Sequence, residues 1–538
     1  MLMNYLRQYW LLILLALPFF VALDDSSVWD SNEAFYAQTP REMLERGDWL
    51  VPYFNGQPRL NKPPLSYWVV APFYWLFSAS LFWERLVMAL LGYGCVLAVF
   101  STGKILYDPR VALLAAGILA TTFRFLVLSR RLLIDTLLLF CLLWAIACFL
   151  EWMKSQRKGP FLLSAVFFGL AFLAKGPVAV LPICFLALYL LLSGRLGQLA
   201  RVPWATGGAL YIALCSFWFL LLGLEMGWEP VLGFFMEENL SRFTSMEMGP
   251  RRGYFYYVGV FLGDFFPWSF FFLASVVGSL GWKKPKPEHA LLLGLWIATY
   301  FVIFSLSYNK QEYYILPLYP AAALWVASYL NRGLPPRLLT ASVGAIFLVL
   351  GSALLVMIEV LFGGGWLWLP LLCLPVFVVG LLKGRYPLAI TGLVLFYAGS
   401  FSLYLGPWEE FKPVRHLART IAEETSRAGT ESNSVAGYYK FAAPSLAFYL
   451  NRPIVELSDP EEAASLLESD GAVYLIVSSE DYPELTRASS RPVEIVEARP
   501  KLYTTLRTLI EGFRRGSSDN LRKNWIRPVY LITNRPVD

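Results

Sequence analysis

The chain has 538 residues, of which 57% are hydrophobic, 16% aromatic and only 16% charged. Its mean hydropathy is +0.52. A soluble domain carries about 25% charged residues, so this composition excludes an ordinary cytosolic enzyme, a disordered chain and a disulfide scaffold. The net charge of +6 is small for the length. The basic residues fall in short loops between apolar runs, which reads as a membrane-topology signal and not as a nucleic-acid face.

The first apolar run, Tyr9 to Leu23, imitates a signal peptide. No small-x-small cleavage site follows it, and it reads as a retained first helix. Because a span needs about 20 apolar residues, about thirteen runs are long enough to cross a bilayer. They centre near residues 16, 93, 118, 140, 167, 184, 213, 265, 298, 322, 349, 374 and 396. One set of loops is compact and basic: Lys104/Arg110, Lys154/Arg157/Lys158, Arg195/Arg201, Lys283/Lys284/Lys286, Arg332/Arg337 and Lys383/Arg385. The positive-inside rule makes these cytoplasmic, with the N-terminus inside and the C-terminus outside. The opposite loops, 24–82, 124–133, 225–253 and 307–314, are fewer and chemically mixed.

The first outer loop holds Asp30 and Glu33 just past the first span. Two readings stand side by side: an ordinary wet loop, or a general base at a lipid-facing cleft. Thr39–Arg46 reads as a short surface helix with Pro40 at its first turn. Arg59 and Asn61 lead into Lys62, which Pro63 and Pro64 hold on a stiff turn. Such a lysine suits a phosphate; the plainer reading is a snorkelling side chain. In the second outer loop Asp135 wants a cation, and Arg131 lies four residues earlier on the same expected helical face. Ala174-Lys175-Gly176-Pro177 reads equally as a plain turn or as a functional element. Glu237-Glu238-Asn239-Leu-Ser-Arg242, then Arg251-Arg252, and Lys310-Gln-Glu-Tyr313-Tyr314 place cations on outer loops, against the topology bias. Converging on one face, they would bind an anion such as a lipid phosphate. A rim of interfacial aromatics is the plainer account of the tyrosines.

After about residue 406 the composition changes. Arg415–Arg427 and Pro460–Ser469 read as amphipathic helices. Ser434–Gly437, Ala472–Val477 and Pro528–Thr533 read as strands. The expected organisation is a polytopic α-helical membrane domain over 1–406, followed by a small α/β domain over 407–538 outside the membrane. The six cysteines, Cys95, Cys141, Cys148, Cys184, Cys215 and Cys373, have no metal-ligand spacing. His289 and His416 are the only histidines and have no ligand-like neighbours. No nucleotide motif supports ATP-driven transport.

Asn-Glu-Ala-Phe-Tyr-Ala at 32–37, Pro-Arg-Glu-Met, Gly-Asp-Trp-Leu-Val-Pro, Asn-Lys-Pro-Pro, Glu-Asn-Leu-Ser-Arg-Phe and Lys-x-x-Tyr-Tyr-Ile-Leu-Pro occur in that order. Together they resemble the bacterial aminoarabinose lipid A transferases of the GT-C superfamily, which includes the protein O-mannosyltransferases. The resemblance covers about residues 10–400. It implies an inner-membrane glycosyltransferase that takes sugar from an undecaprenyl-phosphate donor on the periplasmic side. The acceptor would be lipid A, another glycan or a protein.

On the family's motifs, Lys62, Arg242, Lys310 and Tyr314 would hold the lipid phosphate. The second-loop acid falls on Asp135. The family's catalytic aspartate position is Asn32 here, so the resemblance leaves Asp30 or Glu33 to orient or deprotonate the nucleophile. Tyr36, Arg59, Arg131 and Tyr313 join Asn32 as candidate substrate contacts. Asn61, Glu238 and Asn239 complete that set. Asn61 and Asn239 stand where the family is associated with a metal site. An amide is a poor zinc ligand, so no zinc site is expected there, although a divalent metal is admitted. A second expectation from another class is a polyprenyl-sugar flippase; a third is a non-catalytic envelope scaffold. Neither involves nucleic acid.

Overall fold

The computed structural model describes residues 2–30, 32–244, 252–279, 289–333, 335, 337–430, 433–503 and 525–536. The expected basic cluster Lys283/Lys284/Lys286, and Arg251, lie outside the described residues.

Twelve of the thirteen expected centres fall inside helices. The other, near 265, falls at a break between Tyr256–Asp264 and Trp268–Ser279, two helices bent by 117°. By length and hydropathy, seven helical stretches among the described residues can cross a membrane, or eight if the bent pair is one span. Shorter apolar helices, such as Pro109–Ala120 and Ala290–Leu306, make up much of the difference from thirteen.

One long stretch, Lys158–Leu192, contains two of the expected runs. Gly176, at φ +68°, breaks the helical ladder, and Pro177 starts a short 3₁₀ turn. The chain then folds back. Phe161, Phe168, Ile183 and Leu190 line one apolar cleft of about 280 Å³. A straight rod would set Phe161 and Leu190 about 40 Å apart. Lys158–Lys175 and Leu181–Leu192 are therefore two separate helices and not one straight rod.

Small residues let the helices approach closely. At Gly103 a Cβ would lie 2.6 Å from the Ala112 Cα, and at Gly380 it would lie 2.4 Å from the Ala389 nitrogen. Asp108 caps Pro109–Ala120 by accepting from the backbone N–H groups of Arg110 and Val111.

Polar residues gather at the two ends of this bundle. Asp135 opens the helix Ile134–Ser155, and Lys175 closes Lys158–Lys175. Lys104, Glu151 and Lys154 line a second cleft at the opposite ends of the same helices.

The first loop is not the surface helix expected. A single helix runs Glu33–Arg46, Pro40 lies inside it, and most of it is buried. Glu33, not Pro40, occupies its first turn, and the chain around it covers the element up to Met43, leaving Glu45 and Arg46 exposed. Gly47, at φ +69°, ends it. A hairpin follows, Tyr53–Phe54 against Gln57–Pro58, turned by Asn55 and Gly56, both at positive φ. Glu42 fixes that turn by accepting from the N–H groups of Asn55 (2.8 Å) and Gly56 (3.1 Å).

The C-terminal region is α/β. Its five-stranded sheet runs, in spatial order, Val455–Leu457, Val435–Tyr439, Val473–Ser478, Ile526–Thr533 and Glu494–Leu502. The first three are parallel, and the last two join antiparallel. Helices Pro413–Arg427 and Pro460–Leu467 pack their apolar faces on it. The two strands not expected are the three-residue Val455–Leu457 and the charged Glu494–Leu502.

This sheet sits on the first loop. The Asn55 amide donates to Ile454 O (2.8 Å) and accepts from Ile454 N (2.7 Å). Asn55→Gly keeps the left-handed turn but removes both bonds. It is expected to cost about 1–2 kcal/mol, read as a lower Tm and faster protease cleavage near residue 407. An unchanged Tm would mean that other contacts carry the docking.

Candidate active site

A cavity of about 110 Å³ lies where the first loop, the start of Ile134–Ser155, the Lys175 turn and the segments around 240 and 310 meet. Its charged lining consists of Lys62, Asp135, Lys175, Glu238 and Arg242; Asn239 and Tyr314 add polar groups. The sequence places Lys62 after a hairpin and before two prolines, so its backbone has little freedom. Asp135 is in the first turn of its helix. Glu238 and Asn239 lie on a π-helical turn, Met236–Ser241, that continues into Arg242. π-Turns widen the helix locally and recur at functional sites.

Two ion-pair groups organise the cavity. Lys175 Nζ lies 2.5 Å from Asp135 Oδ1 and 5.0 Å from the centre of the Tyr314 ring. Glu238 Oε2 bridges Arg242 (2.8 Å) and Lys62 (3.5 Å). Lys62 also donates to Asn61 O at 2.7 Å. Burial, with Arg242 and Lys175 adding to it, pushes the Lys62 ammonium down to about 8 despite the nearby Glu238. Lys62 is thus charged below about pH 8 and loses its charge above it. If it holds an anionic substrate, kcat/KM falls as pH rises through about 8, since that ratio reports the free enzyme. Lys62→Arg should remove this inflection, and a profile flat to pH 10 would contradict the assignment.

Lys310 stands beside the cavity and not in its lining. It is only 4% exposed, and Nζ donates to the carbonyl oxygen of Ser307, which does line the cavity. Backbone N–H groups of Tyr308 and Asn309 donate to Phe243 O and Arg242 O, which ties the two segments together. Tyr313 faces Lys175 at 5.4 Å. Tyr36 is buried and stacks on Tyr67 at 5.8 Å. Arg59 covers the Phe35 ring at 4.1 Å. Asn32 precedes the Glu33 helix and is exposed.

The expected pair between Arg131 and Asp135 does not form. The helix begins only at Ile134 and Leu133 is extended, so the two residues never share a helical face. Arg131 lies instead over the Trp29 ring at 3.5 Å, and Lys175 takes Asp135. Lys175 is the site residue not singled out from sequence, where its Gly-Pro turn had equal standing as a plain loop.

Asp30 and Glu33 make their bonds elsewhere. Asp30 accepts from the Ser445 N–H (3.1 Å) and from the Ser445 hydroxyl, so it joins the first loop to the C-terminal region. Glu33 is 1% exposed and paired with Arg85. The Arg85 guanidinium uses five hydrogen bonds: Nε donates to Glu33, Nη1 to Leu23 O and Ser26 O, and Nη2 to Ser27 O and Glu33. Burial alone would raise the Glu33 carboxyl, but Arg85 outweighs it and holds the group below its usual range.

The cavity's donor set does not fit a zinc ion. The Asn239 amide nitrogen is turned to donate to Phe234 O (2.7 Å), and the lining carboxylates Asp135 and Glu238 are each taken by a basic side chain. Among the described residues no group of three or more His, Cys, Asp or Glu side chains comes together.

Residues 61–220 match the family model of dolichyl-phosphate-mannose-protein mannosyltransferases. An uncharacterized protein of Aquifex aeolicus is 30% identical over 448 residues, 82% of this chain and 87% of that protein. The undecaprenyl phosphate-α-4-amino-4-deoxy-L-arabinose arabinosyl transferase of Edwardsiella ictaluri is 29% identical over 337 residues, 60% of this chain. The match spans 59% of that relative's length. The chain belongs to the GT-C superfamily of membrane glycosyltransferases. The fold agrees along the whole length. The crystal structure of ArnT from Cupriavidus metallidurans bound to undecaprenyl phosphate superposes with a TM-score of 0.76 at 20% identity, covering 98% of both chains. An apo Archaeoglobus fulgidus oligosaccharyltransferase gives 0.53 at 13% identity, over 90% of this chain and 71% of that one. In this GT-C chain the family-model match begins at Asn61, beside Lys62, and includes Asp135 and Lys175.

Proposed function

We propose that the chain transfers a sugar from an undecaprenyl-phosphate donor to a glycan or lipid acceptor at the outer face of the bacterial inner membrane. One observation carries this reading: Lys62, Lys175 and Arg242, from three separate segments, line one small cavity with Tyr314 and Asp135. Cations brought together at the end of apolar spans suit the phosphate of a membrane-held lipid. The named relatives, whose names specify an undecaprenyl-phosphate sugar, support the donor class.

In this reading Lys62 and Arg242 hold the donor phosphate, Tyr314 adds a hydroxyl, and Lys310 braces the wall through Ser307. The acceptor oxygen attacks the anomeric carbon in a single displacement, which inverts that centre. The bond from that carbon to the phosphate oxygen breaks, and its electron pair stays on the phosphate, whose charge the cations offset. Asp135, the lining carboxylate held by Lys175, takes the proton of an acceptor hydroxyl. A phosphate acceptor would need no base. Asp30 and Glu33 serve the architecture of the first loop. No step passes through a metal.

The arrangement we favour puts residues 1–406 in and around the membrane and 407–538 in the periplasm over the cavity. The Lys104/Lys154 end then faces the cytoplasm, as basic loops do. The named relatives are transferases and lend the flippase expectation no support.

The test is turnover by purified protein of radiolabelled undecaprenyl-phosphate sugars, with crude envelope glycolipid as acceptor and with and without chelator. Label moving to the acceptor, insensitive to chelator, is the expected result. Label crossing liposome membranes without transfer would overturn the reading.

A further inference from the structure

We propose that Glu238 is a specificity residue that lets the cavity distinguish a singly charged phosphodiester from a doubly charged phosphate monoester, and so speeds release of the spent carrier lipid. This rests on the cavity being the donor phosphate site.

The geometry is particular. One oxygen of Glu238 contacts both cations assigned to the phosphate, Arg242 at 2.8 Å and Lys62 at 3.5 Å. The other acid, Asp135, is engaged by Lys175 on the facing wall. Glu238 is partly exposed, with 22% of its side chain accessible, so it is not a buried structural acid like Glu33. It also sits on a π-helical turn just before Arg242. An incoming phosphate oxygen must share the two cations with this carboxylate.

The charges then decide. Lys62, Lys175 and Arg242 against Asp135 and Glu238 leave one net positive charge in the lining. A lipid-phosphate-sugar diester carries one negative charge, which matches. Transfer forms the bond from acceptor oxygen to anomeric carbon and breaks the bond from that carbon to phosphate oxygen. The acceptor proton goes to Asp135 and then to solvent. The remaining lipid phosphate is a monoester with a second pKa near 6, close to a dianion at neutral pH. The added charge appears beside Glu238, and like charges at contact repel. Without Glu238 the lining would carry two net positive charges and hold the product.

The test uses purified full-length protein and two short-chain probes, farnesyl phosphate and its methyl diester, in equilibrium binding at pH 7.5. Glu238→Gln keeps the side-chain shape and removes the charge. It is expected to tighten farnesyl phosphate about tenfold and the diester less than about threefold. In turnover it should lower kcat without raising KM, with product inhibition stronger by the same factor.

A carboxylate that merely positions Arg242 would, on replacement, weaken both probes. That result, or an unchanged ratio between them, overturns the proposal. The site itself is judged separately by Lys62→Ala. Loss of both probes in Lys62→Ala with an unchanged ratio in Glu238→Gln defeats only the discrimination. Wild-type protein that binds neither probe defeats both readings.

Discussion

Lys62→Ala is expected to cut sugar transfer by at least about a hundredfold, and Arg242→Ala by a similar factor. Each removes a cation that would face charge developing on the departing phosphate in a partly enclosed site, where such contacts weigh more than in water. Because Glu238 contacts both residues through one oxygen, either substitution also frees that carboxylate to repel the donor. The two losses should therefore not add: the double variant falls short of the product of the single effects. Initial rates at saturating acceptor check this, with Tm as the control for folding. Retention of more than a tenth of wild-type transfer in both single variants would remove the cationic pair from the mechanism.

Arg85→Met is expected to be the most destabilising substitution in the first loop and its supports, at about 3–5 kcal/mol. It would strand the Glu33 carboxylate, which is 1% exposed, and take from the Leu23 and Ser26 carbonyls the guanidinium that now satisfies them. Adding Glu33→Gln should restore part of the loss, since the uncompensated charge goes with it. The measurement is Tm in detergent for the two single variants and the double. Glu33→Gln discriminates between roles. As a structural acid, Glu33 on replacement loses stability and activity together. Were it a base, the variant would fold like wild type and lose only kcat, which would contradict a structural role.

The helical runs were legible because each is an unbroken apolar stretch, and membrane helices satisfy their backbone groups within themselves. Their lengths were less so: Pro109–Ala120 and Ala290–Leu306 are shorter than a full span, and the fold-back at Gly176-Pro177 depends on what packs around it. Lys62, Arg242 and Tyr314 could be named from ordered motifs before any geometry was known, and they share one cavity. Lys175 could not be chosen over an ordinary turn lysine, because its partner Asp135 lies 40 positions away in sequence. The same distance problem hid the partners of Asp30 and Glu33. Ser445 and Arg85, which occupy their carboxylates, lie 415 and 52 positions away. One signal was present and unused: Asn55-Gly56 after the aromatic pair Tyr53-Phe54 is a strong two-residue hairpin sign, and it places the turn on which the C-terminal sheet rests.

Whether the cavity of Lys62 and Arg242 holds a lipid phosphate is tested most directly by titrating labelled undecaprenyl phosphate into the purified full-length chain and its variants. Wild type is expected to bind saturably. Lys62→Ala and Arg242→Ala should each bind at least about tenfold more weakly, with folding intact by Tm. Equal affinity in all three proteins would place the lipid elsewhere and contradict the phosphate site.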